Sequence, residues 1–220
     1  MYSQEAKRYA KEILSDPLRF GLYGPTSLRF SATMTRILLT LAALSLILLA
    51  AALLVGLSNG DLYHQPTADT LHWATVHRLT GIAAALAVVL VESVIVTYFI
   101  GTSRWCKEVV ETYSLDPAPV RASNRLKRRA FAVALAGMLM VVALIALGAA
   151  ADPATGRPNT QAWTSFHLAG AFAGVALIAW TYFAAWQYIA ANQVIIQQIL
   201  AEVSKIRCER GLEPLTMAAN

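Results

Sequence analysis

In a chain of 220 residues, 57% are hydrophobic and 14% charged, and the apolar residues are gathered into blocks rather than scattered. The formal charge of +5 has no aromatic-interleaved basic groove beside it, which excludes nucleic acid as the expected partner. With only Cys106 and Cys208, no disulfide framework is expected either.

Residues 1–35 mix charges with an apolar stripe of Tyr2, Ala6, Tyr9 and Ile13, the pattern of an amphipathic segment outside the membrane. Residues 36–57 form the first expected span. Ile37 to Leu57 carries no charge and meets the roughly 20 residues needed to cross a ~30 Å hydrocarbon core as a helix. It is too long for a signal-peptide core and follows a mixed segment, so it reads as a retained helix. A polar connection with Asp61, His64, Asp69 and His72 leads to a second span at 74–100, where the only charged or histidine residues are His77, Arg78 and Glu92. After a basic stretch comes a third span at 130–151, free of charge, and then a fourth at 162–189 that contains His167 alone. Residues 191–220 read as a helical tail with a stripe of Ile195, Ile199, Val203 and Ile206. Such a stripe must be covered by the N-terminal stripe, by the lipid surface or by another subunit of a membrane complex.

Basic residues set the orientation. The N-terminal segment has Lys7, Arg8, Lys11, Arg19, Arg29 and Arg36, and the middle connection has Arg104, Lys107, Arg121, Arg125, Lys127, Arg128 and Arg129. Between Ser58 and Trp73 there is no Lys or Arg, and the third connection has only Arg157. The positive-inside rule then places both termini and the middle connection on the inner side of a cytoplasmic or organellar inner membrane. The expected fold is an all-α, multi-pass, up-and-down four-helix bundle in the lipid bilayer. Its two helical hairpins repeat one pattern: basic flank, uncharged helix, polar outer connection, tryptophan, histidine, long second helix.

His77 and His167 each stand four residues after a tryptophan, in Trp73-x-x-x-His77 and Trp163-x-x-x-His167. The second and fourth spans run the same way in such a bundle, so both imidazoles reach one depth near the outer face. A haem iron needs two axial nitrogens on opposite sides, separated by about twice a roughly 2 Å metal–imidazole bond. Small residues follow each histidine on its own helical face: Thr80, Gly81, Ala84 and Val88 on one span, Gly170, Ala171, Gly174 and Thr181 on the other. They leave room for a flat macrocycle, and the same spacing also permits close helix packing in lipid. Either histidine alone has a second reading, as a hydrogen bond between helices. Without a Cys-x-x-Cys-His sequence the haem would be non-covalent, hence b-type.

Arg78 and Arg157 are candidates to pair with haem propionates, or else to reach lipid phosphates. Glu92 lies about 22 Å deeper along its helix than His77. It reads either as a proton-relay or quinone-site residue or as a solvated acid at the inner interface. His64 and His72, beside Asp61 and Asp69, are solvated loop histidines or part of a metal site with His77.

His77-Arg78-Leu79, His167-Leu168-Ala169 and the basic Arg125-Leu126-Lys127-Arg128-Arg129 together resemble one four-helix half of the heme A synthase family. The resemblance covers roughly residues 36 to 190. It implies haem held between the second and fourth helices by those histidines. Family members place a glutamate three residues before the second-helix histidine, where this chain has Ala74, and the paired cysteines of the first outer connection are absent. The resemblance therefore implies the haem-binding scaffold rather than the haem-oxidising activity. A looser resemblance is to four-helix membrane cytochromes b of quinol-linked complexes.

The expected function is that of a membrane cytochrome with one haem b. It would pass electrons to an outer-side redox partner or stabilise a respiratory or photosynthetic assembly that docks on the cytoplasmic tail. Filling both axial positions with imidazole leaves the iron no open position for substrate. Two alternatives stand beside this reading. One is a half-size heme A synthase-like enzyme, with Asp69 or Asp61 replacing the glutamate; the other is a haem-free structural or assembly subunit.

Overall fold

The computed structural model describes residues 28–213, with side chains from residue 36 onward. Every long element among these residues is helical: α1 (Leu28–Ser58), α2 (Ala68–Thr112), α3 (Ala118–Ala151) and α4 (Thr164–Glu209), with single turns of 3-10 helix at Pro153–Thr155 and Thr160–Trp163. All four long helices are long and apolar enough to cross a membrane. The N-terminal stripe from Tyr2 to Ile13 and the basic residues before Arg36 lie outside the residues whose side chains are described.

The helices outrun the expected spans. Beyond Ile100, α2 continues for three more turns because its charges support the helix: Arg104 Nε donates to Glu108 Oε1 at 2.8 Å, and Lys107 stands 3.8 Å from Glu111, both at the i,i+4 spacing. It stops where Ser114 turns left-handed at φ 52°, with the Leu115 amide closing on the Val110 carbonyl at 3.0 Å. Asp116 then accepts the Ala118 amide at 2.9 Å, and Pro117 and Pro119 flank the start of α3. The middle connection is therefore the short run 113–117, not the long basic stretch expected from hydropathy. At the other end, Thr67 caps α2 by accepting the Thr70 amide at 3.2 Å.

Two compact units form. One comprises Leu38–Ile95 and Ala132–Ala184 and packs segments of all four helices. Its centre is Ala84, Val88, Val91, Ile95, Ala134 and Ile178, each at most 1% exposed. The surface of the same helices is apolar, with Ile47, Leu54, Leu86 and Val142 all exposed and Leu86 as much as 68%. Such a belt is costly against water and suited to lipid.

The other unit includes Val96–Phe131 and the chain from Ala185 onward. A polar cluster ties α2, α3 and α4 there. Asn192 donates to Tyr98 Oη and Thr102 Oγ1 at 3.3 and 3.1 Å and accepts from Ser123 at 2.8 Å, while Gln193 donates to Tyr98 Oη at 3.0 Å. In lipid such satisfied groups hold helices in register. Ile195, Ile199 and Val203 are buried within the chain at 8%, 1% and 1% exposure. Three of the four stripe positions are thus covered within the chain, where α2 and α3 persist as helices in the same unit, while Ile206 is half-buried.

Candidate functional site

His77 sits three turns into α2 and His167 in the first turn of α4. Their ring centroids are 6.1 Å apart with planes at 77°. Two metal–imidazole bonds of about 2 Å set the donor nitrogens about 4 Å apart, and each ring carries its centroid about 1 Å further out, so one shared iron asks for centroids roughly 6 Å apart. The observed separation meets that requirement.

Each imidazole is framed by a glycine of the helix that precedes it. A Cβ on Gly56 of α1 would lie 2.8 Å from His77 Cε1 and 3.0 Å from Nδ1. On Gly148 of α3 it would lie 3.2 Å from His167 Cε1. At Gly56 the ring occupies the space of a side chain, and at Gly148 a methyl would ask the ring to give by a few tenths of an ångström. These glycines, missed from the sequence, had a signal there: each is a glycine near the C-terminal end of an uncharged span.

The nitrogens differ. His77 Nδ1 is 2.9 Å from the Ala52 carbonyl, which only accepts, so Nδ1 carries the proton and Nε2 keeps its lone pair. This is the orienting bond that a metal-bound histidine makes through its second nitrogen. His167 Nδ1 is buried without a hydrogen-bond partner. An unsatisfied buried polar atom costs about 1–3 kcal/mol, and a donor or metal at this imidazole would relieve it. The ring separation, the orienting bond on His77 and the unpartnered Nδ1 of His167 together fit haem ligation by this pair.

The surrounding candidates are placed differently from one another. Gly81 has open space within 4 Å of its would-be Cβ. Gly170 and Gly174 instead admit α3 closely, with Leu147 Cδ1 and Leu144 Cδ1 at 2.7 and 2.6 Å from their would-be Cβ positions. Arg78 is engaged by Asp152, its Nη1 donating to both carboxylate oxygens at 3.0 and 3.1 Å, and Nη2 donates to Thr75. Asp152 also accepts the Ala154 amide, so one carboxylate ties α2 to the α3–α4 connection. Tyr63 adds a second tie by donating to the Ala151 carbonyl at 2.6 Å. Arg157 is exposed.

Glu92 departs from the expectation of a solvated inner-interface acid. It is fully buried, with Thr181 donating to Oε1 at 2.8 Å and Oε2 without a partner. Gly137 makes the room: a Cβ there would collide with Glu92 Oε1. Between α1 and α2, His64 Nδ1 lies 2.9 Å from Asp61 Oδ2, and in the first turns of α2 His72 packs edge-on against Trp73. Among the described residues no group of three or more His, Cys, Asp or Glu side chains converges on a metal position. Asp61 also accepts the amides of Tyr63 and His64, and these bonds hold its carboxyl below the usual carboxylate range.

No family model, curated protein sequence or solved structure matches this chain.

Proposed function

We propose that this chain is a membrane-embedded b-type haem protein whose haem would be held by His77 and His167, with one-electron transfer as its activity. The observation that carries the proposal is the 6.1 Å separation of two imidazoles in an apolar helix bundle. When bound, haem b supplies a one-electron carrier. The protein's residues do the rest: His77 and His167 would hold the group through imidazole nitrogens, Ala52 fixes the tautomer of the first, and Gly56 and Gly148 set how close each imidazole stands to its neighbouring helix.

The basic residues before and within the early turns of α3, against connections nearly free of Lys and Arg, support an orientation with both termini inside and the histidines near the outer face. The matched Gly56–His77 and Gly148–His167 pairs support a repeated hairpin. An electron donor or acceptor on the outer side follows from that depth. The motif resemblance to the heme A synthase half falls on the same two histidines, while Ala74, buried at 5% exposure, offers no acid beside them.

One observation favours a second reading, a haem-free assembly subunit: the hydrogen bond from His77 to the Ala52 carbonyl already joins α1 and α2. A dithionite-reduced minus oxidised absorbance spectrum of protein purified from its own membrane, followed by pigment extraction, separates the two. Haem b at one per chain supports the proposal. A colourless protein supports the second reading and removes the first.

A further inference from the structure

Within the second unit, α2 and α3 leave between them a groove of about 330 Å³. Arg104 and Lys107 line it from α2, Asn124 and Lys127 from α3, and Ile100 and Phe131 stand on the side away from the 113–117 turn. One end is therefore cationic and the other apolar. A second basic depression of about 450 Å³ shares Asn124 and Lys127 and adds Arg121, Arg125 and Arg128.

The acidic neighbours cancel only part of this charge, through exposed pairs on one side of the groove. Glu108 takes Arg104, Glu111 stands 3.8 Å from Lys107, and Asp116 is 3.9 Å from Arg121. Among the described residues no carboxylate lies within 4 Å of Lys127, Arg125 or Arg128.

Ser103 is the independent sign of a ligand. It lines the groove at 5% exposure, and its hydroxyl has no hydrogen-bond partner. Its neighbour Thr102 bonds back to the Tyr98 carbonyl at 2.8 Å, the usual resort of a helical hydroxyl in an apolar setting. A hydroxyl left over in a groove that Lys127 enters without a carboxylate partner is suited to an acceptor-only group such as a phosphate oxygen.

We propose that this groove binds one anionic phospholipid, its phosphate held by Lys107, Lys127, Arg104 and the Ser103 hydroxyl and an acyl chain lying along Ile100 and Phe131. Grooves that are cationic at the headgroup and apolar below it match the two ends of such a lipid, whereas a free phosphate has no use for the apolar end. The site is separate from the histidine pair.

The test is native mass spectrometry of the full-length chain in mild detergent, titrated with dioleoyl phosphatidylglycerol and, in parallel, with dioleoyl phosphatidylcholine. One retained phosphatidylglycerol is expected. Because each surface Lys or Arg is worth about 1 kcal/mol toward an anionic lipid, or about fivefold, the double variant Lys107→Glu, Lys127→Glu should weaken retention at least tenfold. Ser103→Ala, which leaves charge untouched, should weaken it severalfold. The double variant Lys205→Glu, Arg210→Glu makes the same change in net charge elsewhere and should leave retention intact. Equal retention of the two lipids overturns the proposal, as does an equal loss in the Lys205, Arg210 control. Displacement by glycerol phosphate or inorganic phosphate at the concentration of the lipid also overturns it, because the ligand would then be a soluble phosphate.

Discussion

Replacing Gly56 with alanine would put a methyl carbon 2.8 Å from Cε1 and 3.0 Å from Nδ1 of His77. The ring cannot turn aside freely, because Nδ1 is held 2.9 Å from the Ala52 carbonyl. Overpacking of this kind costs about 1–3 kcal/mol. A lost hydrogen bond adds about 1 kcal/mol, and the better helix propensity of alanine returns up to about 1 kcal/mol. The net destabilisation is then about 1–3 kcal/mol. Because an orienting group behind a metal ligand is worth about 10–100-fold in affinity, haem retention should fall within that range. Gly148→Ala is the graded comparison, since its methyl would stand 3.2 Å from His167 Cε1 and a few tenths of an ångström of movement suffices. Gly81→Ala, with open space around it, should be neutral or slightly stabilising. The assay is unfolding by sodium dodecyl sulfate in mixed micelles alongside haem titration of the three variants. If Gly56→Ala behaves like Gly81→Ala in both, His77 is not held as described and the reasoning fails.

Changing Asn192 to leucine removes the hub that joins Tyr98, Thr102 and Ser123, and leaving these buried groups unsatisfied should cost about 1–3 kcal/mol in the same micelle assay with haem content unchanged. For topology, a membrane-impermeant maleimide applied to intact cells should label a cysteine introduced at Asn159 and should reach the exposed native Cys208 only after the membrane is opened; the reverse pattern would place the histidines on the inner side. Ser114, exposed in the 113–117 turn, serves as a further inner reporter, whereas Ser123 is fully buried and unsuitable. Asp61 should titrate below the ~3.9 of a free aspartate, because the Tyr63 and His64 amides favour its charged form. A depressed folded pKa means that the loop gains stability from Asp61 at neutral pH and loses it as pH falls through that lower value. Carboxyl-carbon NMR of labelled protein tests this, and an ordinary or raised value would contradict it.

The spans were legible because lipid imposes length and the absence of charge on every helix that crosses it. Where the helices leave lipid that signal ends. Arg104 to Glu111 looks like a polar loop in hydropathy yet is helix, stabilised by i,i+4 pairs and packed through Cys106 and Val110. The tail misled for the same reason: Ile199 and Val203 look unpartnered until α2 and α3 are known to continue as helices in the same unit. Matched tryptophans brought out the histidine pair, and the two rings do meet. Their supports did not show, because a glycine in an apolar span resembles any other small residue and the Ala52 carbonyl leaves no trace in composition. Arg78 and Asp152 are far apart in sequence, so their pairing depended on the fold. The burial of Glu92 depended on Gly137 and Thr181 arriving from two other helices.

The most direct measurement of the central claim is low-temperature electron paramagnetic resonance of the oxidised protein purified from its own membrane. Two imidazoles on one ferric iron give a low-spin signal, and planes at 77° give its highly anisotropic form rather than the rhombic form of parallel rings. The account predicts that anisotropic low-spin signal in the wild type and its loss in both His77→Ala and His167→Ala. A high-spin signal, no haem signal at all, or a low-spin signal that survives either substitution would contradict ligation by this pair.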